Sequence, residues 1–160
     1  MRSLLATFLL AVALVAPLSA QLSDLGAAPD FKLATLDGRE LTAASLQGKV
    51  VVVDFWATWC GPCIAEIPGY IDLQKKYGPQ GLVIVGVSLD RGGPKVVKPF
   101  AEKRGINYAL AMGDDALVEA FGGIEAIPTT FLIDRTGRVR HKKVGAMSHE
   151  DYEALLKPLL

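Results

Sequence analysis

The sequence predicts an α/β three-layer domain, on three observations. Two strongly apolar runs, Val50–Phe55 (broken only by Asp54) and Leu82–Ser88, have the composition of strands buried on both faces of a sheet. Segments of helical period follow each of them. A turn-linked strand pair and a last helix close the chain, and strands alternating with helices in this way fit one such domain.

In order along the chain, residues 21–30 read as a linker into the domain. Phe31, Leu33 and Leu36 then stand among polar residues, and Asp37-Gly38 turns the chain into Glu40-Leu41-Thr42, a small hairpin. Leu46, Gly48 and Lys49 lead into the first buried strand. A helix is expected from Pro62 to Tyr77, with Ile64, Ile67, Ile71 and Leu73 near helical spacing and Gly78-Pro79 as its stop. Pro68 falls inside it, where a missing N–H favours a bend. After the second buried strand, Gly92-Gly93-Pro94 opens a helix to about Lys103. Tyr108–Met112 is extended, and Asp114 or Asp115 caps a helix to Phe121. Pro128 introduces a strand at Thr130–Asp134, the turn Arg135-Thr136-Gly137 follows, and Val139–Val144 is the last strand. Ser148 starts the final helix with Asp151 as a capping partner, and Leu155, Leu156 and Leu159 are its packing face.

Composition bounds the address and the partners. The chain has 160 residues, enough for one domain with a substantial core, and shows no repeat or low-complexity tract. Met1-Arg2 and the apolar stretch Leu4–Ala16, interrupted at Pro17 and ending at Leu18-Ser19-Ala20, read as a signal peptide over residues 1–20. The domain then occupies residues 21–160, and an uncleaved N-terminal anchor is the alternative. No cysteine follows the stretch and Arg2 stands alone, which argues against lipoprotein and twin-arginine export. Of 17 basic groups only Arg2 is lost with residues 1–20, leaving 16 against 17 acidic ones. Such a balance gives no electrostatic case for nucleic acid or an anionic membrane surface. The expected location is periplasmic or otherwise extracytoplasmic.

The two cysteines, Cys60 and Cys63, lie two residues apart at the end of the first buried strand, with Gly61-Pro62 between them. Pro62 suits the first turn of a helix, so Cys60 falls near a helix N-terminus, where free N–H groups and the dipole stabilise a thiolate. Zinc needs about four ligands, and the chain adds only His141 and His149, both far downstream and read as surface residues. Haem attachment needs His after the second cysteine, where Ile64 stands. A purely structural disulfide over so short a loop contributes little through chain entropy. Thiol–disulfide exchange is the reading that remains, and it calls for no metal and no cofactor.

The segment Asp54-Phe55-Trp56-Ala57-Thr58-Trp59-Cys60-Gly61-Pro62-Cys63 resembles the active site of the thioredoxin superfamily. From about Ala28 to Leu160 the chain resembles the extracytoplasmic TlpA/ResA-like thiol–disulfide oxidoreductases. The matching pieces are Ala28-Pro29-Asp30-Phe31, Leu36-Asp37-Gly38, Leu46-Gln47-Gly48-Lys49-Val50, the cysteine run, and Ile127–Asp134 with Gly137 after it. The resemblance implies a thioredoxin fold with an N-terminal β-hairpin extension and a central insertion, placed between about Asp90 and Asp114. It implies a redox-active Cys60–Cys63 disulfide, with Cys60 as nucleophile and Cys63 as resolving thiol. It implies a cis bond before Pro128, and a substrate-contacting surface of Trp59, Gly61, Pro62, Ile127 and Pro128. Trp56 is expected to pack beneath the site.

Asp54 and Glu66 are the expected proton-transfer groups. Asp54 stands six residues before Cys60 in an apolar strand, where a carboxylate raises its pKa or finds a partner. Its bland reading is a carboxylate solvated at the strand's end. The TlpA/ResA-like pattern often has Asn there, so Asp54 departs toward cytosolic thioredoxins. Glu66 follows Cys63 by three residues, on the same side of a helix. The family carries Glu there, whereas the bland reading is a solvated helix acid. The run Gly122–Ala126 departs from the pattern by one extra residue, and a differently shaped loop beside Pro128 is expected.

The implied partners are protein disulfides or dithiols and a membrane electron donor, with the chain a monomer. Cytochrome c haem-site cysteines and copper-site assembly proteins are substrates that the resemblance offers. Gly61-Pro62 and Ile127 match reducing thioredoxins and favour a reductant. Two alternatives stand beside this. A peroxidase of the alkyl hydroperoxide reductase class carries Thr or Ser three residues before its cysteine and Pro seven before. Here those places hold Ala57 and Val53, or Cys60 and Trp56. A copper-binding assembly chaperone would use the soft thiolates, but Sco-type proteins space their cysteines more widely and add a His.

Overall fold

The computed structural model describes residues 22–160, and the expected signal peptide lies outside them. In chain order the elements are β1 (Lys32–Ala34), β2 (Glu40–Thr42), β3 (Val50–Trp56), α1 (Gly61–Tyr77), β4 (Leu82–Ser88), α2 (Pro94–Arg104), β5 (Ala109–Met112), α3 (Asp115–Ala120), β6 (Thr129–Ile133), β7 (Val139–Val144) and α4 (His149–Leu156). The main sheet runs β5-β4-β3-β6-β7, with β1 and β2 paired apart as the expected antiparallel hairpin. β3, β4 and β5 are parallel, while β6 and β7 run antiparallel to their neighbours. The segment expected to hold the insertion folds as α2 and the edge strand β5.

Period-two alternation sends β3 in two directions. Val51, Val53 and Phe55 pack with Phe31, Leu33, Phe121 and Phe131 on the face covered by the hairpin and α3. Phe121 anchors this layer, its ring 5.3 Å from Phe55 and 4.9 Å from Phe131. Val50 and Val52 pack with Tyr70 and Leu73 of α1 and Tyr152 and Leu156 of α4 on the other face. Asp54 and Trp56 follow Val50 and Val52 in this alternation, which points them toward the α1 side.

Two local expectations change. Residues 23–28 are no free linker: the N–H groups of Ser23, Leu25 and Ala28 donate to the carbonyls of Arg140, Val139 and Gly137 at 2.8, 2.9 and 2.8 Å. Val139 returns a bond to Gly26 at 2.8 Å. An edge strand needs partners for its outward backbone groups, and this segment supplies them for β7. At the opposite edge Leu36 N–H donates to Leu110 at 2.7 Å and Thr35 bridges Ala111, so the hairpin covers β5. β6 starts at Thr129 and ends at Ile133, because Asp134 turns its carboxylate onto the N–H groups of Thr136 and Arg138 at 2.9 and 3.1 Å. At the end of α3 the chain enters the run Gly122–Ala126 through two glycines. Gly122 and Gly123 take φ of 80° and 82°, and their N–H groups bond back to Glu119 and Val118. That pair of bonds is a Schellman closure, and positive φ suits glycine there.

Candidate active site

The strand-to-helix turn places the dithiol. β3 ends at Trp56, Cys60 N–H donates to Ala57 at 3.1 Å, and α1 begins at Gly61. Cys60 is the N-cap of that helix, and its Sγ accepts the N–H of Cys63 at 3.3 Å. Pro62 lies in the first turn, where its missing N–H costs nothing. Cys60 and Cys63 form a disulfide, and they are 5% and 2% exposed. Around it, Gly61, Pro62 and Trp59 face solvent, with Trp59 71% exposed. Ile127 brings its carbonyl oxygen to 3.7 Å from Cys60 Sγ, and the Ile127–Pro128 bond is cis, as the resemblance implies. Trp56 is buried beneath, its ring 5.7 Å from Phe100 of α2.

Behind the dithiol lie two buried carboxyl groups. Asp54 is 5% exposed rather than solvated at a strand end. Its β4 neighbour in register is Gly86, which offers no side chain, and its β6 neighbour is Thr130, whose hydroxyl donates to Asp54 Oδ1 at 3.0 Å. A Cβ on Gly86 would come within 3.0 Å of the Trp56 indole nitrogen, so that approach requires glycine. Burial pushes the Asp54 carboxyl up to about 8; the negative charge of Glu66 adds to this and the Thr130 bond opposes it. Near pH 7 Asp54 therefore keeps its proton. Glu66 is buried on α1, one turn after Cys63, and accepts the N–H of Met147 at 2.8 Å. Burial pushes it up as well, against the Met147 N–H, the Tyr152 hydroxyl and the charge of Lys143. Among the described residues, no three His, Cys, Asp or Glu side chains are grouped to hold a metal ion.

Residues 26–142 match the AhpC/TSA family. The thiol-disulfide oxidoreductase ResA of Geobacillus thermodenitrificans is 39% identical over 134 residues, spanning 82% of this chain and 75% of the relative. ResA of Bacillus subtilis is 35% identical over 135 residues, spanning 82% and 74%. A crystal structure of a thioredoxin-family thiol:disulfide interchange protein of Chlorobium tepidum superposes with a TM-score of 0.77 at 38% identity, covering 83% of this chain and 94% of that one. The chain belongs to the ResA-like thiol–disulfide oxidoreductases. It is an enzyme of thiol–disulfide exchange on a thioredoxin fold, with Cys60 and Cys63 as its C-x-x-C pair.

The structure of this ResA-like oxidoreductase also shows residues that sequence reading passed over. Asp90, after β4, is buried and accepts bonds from Thr58 N–H at 2.9 Å, Thr58 Oγ1 at 2.6 Å and Ser88 Oγ at 2.8 Å. It thereby ties down the loop carrying Trp59 and Cys60. The available signal was a carboxylate two residues past a serine at the end of a buried strand; its partner Thr58 is 32 positions away and invisible locally. Bonds to a charged acceptor are worth about 1.5–3 kcal/mol each and are not additive, so Asp90→Ala is expected to lose roughly 2–4 kcal/mol. Urea unfolding measures this, and the Trp59 fluorescence anisotropy should fall with it; unchanged values for both contradict the tether. His149, read as a surface residue, is half-buried against Gly69, and its Nδ1 has no hydrogen-bond partner among the described residues.

Proposed function

We propose that this oxidoreductase is an extracytoplasmic reductant of protein disulfides, working through a mixed disulfide on Cys60. The observation that carries this reading is the Cys60–Cys63 disulfide at the N-terminus of α1, beside cis-Pro128 and over the buried Asp54 carboxyl. In the dithiol form the Cys60 thiolate is held by the Cys63 N–H and the helix dipole. It attacks one sulfur of a partner's disulfide and expels the other as thiolate. Cys63 then gives up its proton to an ionised carboxylate and attacks Cys60 Sγ. The Cys60–Cys63 bond forms, the partner's second thiolate leaves, and two electrons have passed to the partner. Re-reduction runs backward: Cys63 departs as thiolate and takes a proton from Asp54. Exposed Trp59, Gly61 and Pro62, with half-buried Ile127, are the surface that receives the partner chain, and buried cis-Pro128 lies directly behind Ile127.

Direction follows from which state the site stabilises. Strong oxidants owe their potential to a stabilised reduced form. Here burial of Cys63 and the nearby Glu66, when it is ionised, disfavour negative charge on sulfur, which destabilises the thiolate-bearing reduced form and lowers the potential. The Gly61-Pro62 spacer points the same way. A reductant outside the cytoplasm needs electrons from a dithiol donor in the membrane, since an oxidising compartment otherwise leaves it as the disulfide. The working unit is a monomer. Among the described residues no helix is long and apolar enough to cross a membrane. Equilibration with glutathione or dithiothreitol tests the direction: a potential near −270 mV is expected, and one above about −150 mV contradicts a reductant.

A further inference from the structure

One buried hydroxyl group serves three partners behind the dithiol. Thr130 Oγ1 donates to Asp54 Oδ1 at 3.0 Å and accepts from Tyr152 at 2.8 Å. The Tyr70 hydroxyl lies 3.2 Å from the same oxygen. Sheet register sets Thr130 opposite Asp54, while α1 and α4 bring in the two tyrosines. Water does not compete for these bonds, since Thr130 is 0%, Tyr70 1% and Tyr152 2% exposed.

Counting hydrogens fixes the direction of the three bonds. Neither tyrosine hydroxyl has another acceptor among the described residues, so each gives its hydrogen to Thr130. A hydroxyl oxygen has two lone pairs, and both are then filled. The one hydrogen that Thr130 owns is left for Asp54. Turning it toward a tyrosine oxygen would strand that tyrosine's own hydrogen in the interior, where an unpaired donor is costly. Asp54 has little else to support its charged form. Among the described residues no second group donates to it, and its β4 neighbour Gly86 has no side chain. The ionisable groups that face it beside the dithiol are all acids: Glu66 and Tyr70 on α1, Tyr108 before β5, and Tyr152 on α4.

We propose that Thr130, held by Tyr70 and Tyr152 as a donor of fixed direction, is what lets the buried Asp54 ionise, so that one carboxyl can both take and return a proton. The proposal rests on Asp54 being the proton partner of Cys63. As the internal disulfide forms, the proton of the Cys63 thiol passes to the Asp54 carboxylate. As that bond is reduced, the proton passes back to the departing Cys63 thiolate. Thr130 favours the carboxylate, so it speeds the first step and restrains the second. Thr130, Tyr70 and Tyr152 are positioning residues, acting on the sulfur only through Asp54.

Infrared titration of the protonated carboxyl band in the disulfide form of the full chain tests this, with the Asp54 band assigned by its loss in Asp54→Asn. Thr130→Val is expected to move the Asp54 midpoint up by roughly one to two pH units, the worth of a bond to a charged acceptor. The double variant Tyr70→Phe/Tyr152→Phe, which keeps Thr130, should move it up by about half a unit, because donors to a hydroxyl strengthen the bond it makes. Thr130→Ser retains the hydroxyl and should restore the wild-type midpoint. The two half-reactions, followed by stopped flow, should then part in opposite directions, which a loss of packing would not produce. In Thr130→Val, oxidation of the dithiol by a model protein disulfide should slow about tenfold at pH 7, while reduction by dithiothreitol at pH 9 should quicken several-fold. An unmoved midpoint in Thr130→Val and in the tyrosine pair, or both half-reactions slowing together, overturns the role of Thr130. If Asp54→Asn leaves both half-reactions at wild-type rates, the underlying reading of Asp54 falls; if it slows them while the midpoint stays put in Thr130→Val, only the role of Thr130 falls.

Discussion

Asp54→Asn is expected to stabilise the protein by roughly 3–5 kcal/mol at pH 9 and by almost nothing at pH 4, while slowing reduction of its disulfide about a hundredfold near neutrality. The stability effect follows from the carboxyl being pushed up to about 8 in the fold, against an ordinary value near 4 when unfolded. Below pH 4 both states carry the proton and there is no penalty. Between 4 and 8 the unfolded chain releases it while the folded chain retains it, so stability falls as pH rises, by about 1.4 kcal/mol per unit. Above pH 8 both states are ionised and the deficit is constant. Asn carries no charge to desolvate and can still accept the Thr130 hydroxyl, so the Asp54 share of the slope disappears. Urea unfolding of both proteins from pH 4 to 9 measures it; parallel pH profiles would mean that Asp54 titrates normally. The rate effect has its own signature. In the proposed mechanism reduction uses the Asp54 proton, so the wild-type to variant rate ratio should be constant below pH 8 and fall above it.

Cys60→Ser is expected to abolish exchange, with a loss of at least about 10⁴-fold, because the thiol it leaves, Cys63, lies one turn inside α1 and is 2% exposed. Cys63→Ser should behave differently. It keeps the thiol at the helix N-terminus beside Ile127 and cis-Pro128, so attack on a disulfide proceeds and then stops at the mixed disulfide. A single turnover followed by arrest, seen as one equivalent of thiol released from a model protein disulfide, is the expected record. The reason is geometric. Both sulfurs belong to one buried cluster, but Cys60 sits at the cap beside exposed Trp59, Gly61 and Pro62, whereas Cys63 lies one turn inside α1.

Much of this arrangement is legible in the sequence because it is local. The Val50–Val53 run, the Gly61-Pro62 helix start, the Gly78 stop and the Ser148 and Asp114 caps each depend on neighbours within a few residues. Asp54 and Glu66 were readable as suspects, since a carboxylate in an apolar strand and one a turn beyond Cys63 both invite a partner. What they bond to was not readable. Thr130 is 76 positions from Asp54, Tyr152 reaches it from the last helix, and only strand register and helix placement bring them together. Residues 23–28 escaped for a related reason: they are held by backbone bonds to β7, which leave no pattern in side chains. The cis bond at Pro128 came from family resemblance, because nothing in Ile127-Pro128-Thr129 by itself distinguishes it from other X–Pro bonds.

The central claim is that Cys60 is the sulfur that meets the partner protein. Expressing Cys63→Ser and Cys60→Ser with residues 1–20 retained and separating the products on non-reducing gels tests it most directly. Cys63→Ser should accumulate partner proteins as reducible adducts through Cys60, and Cys60→Ser should accumulate none. Adducts on Cys60→Ser with none on Cys63→Ser would contradict the assignment.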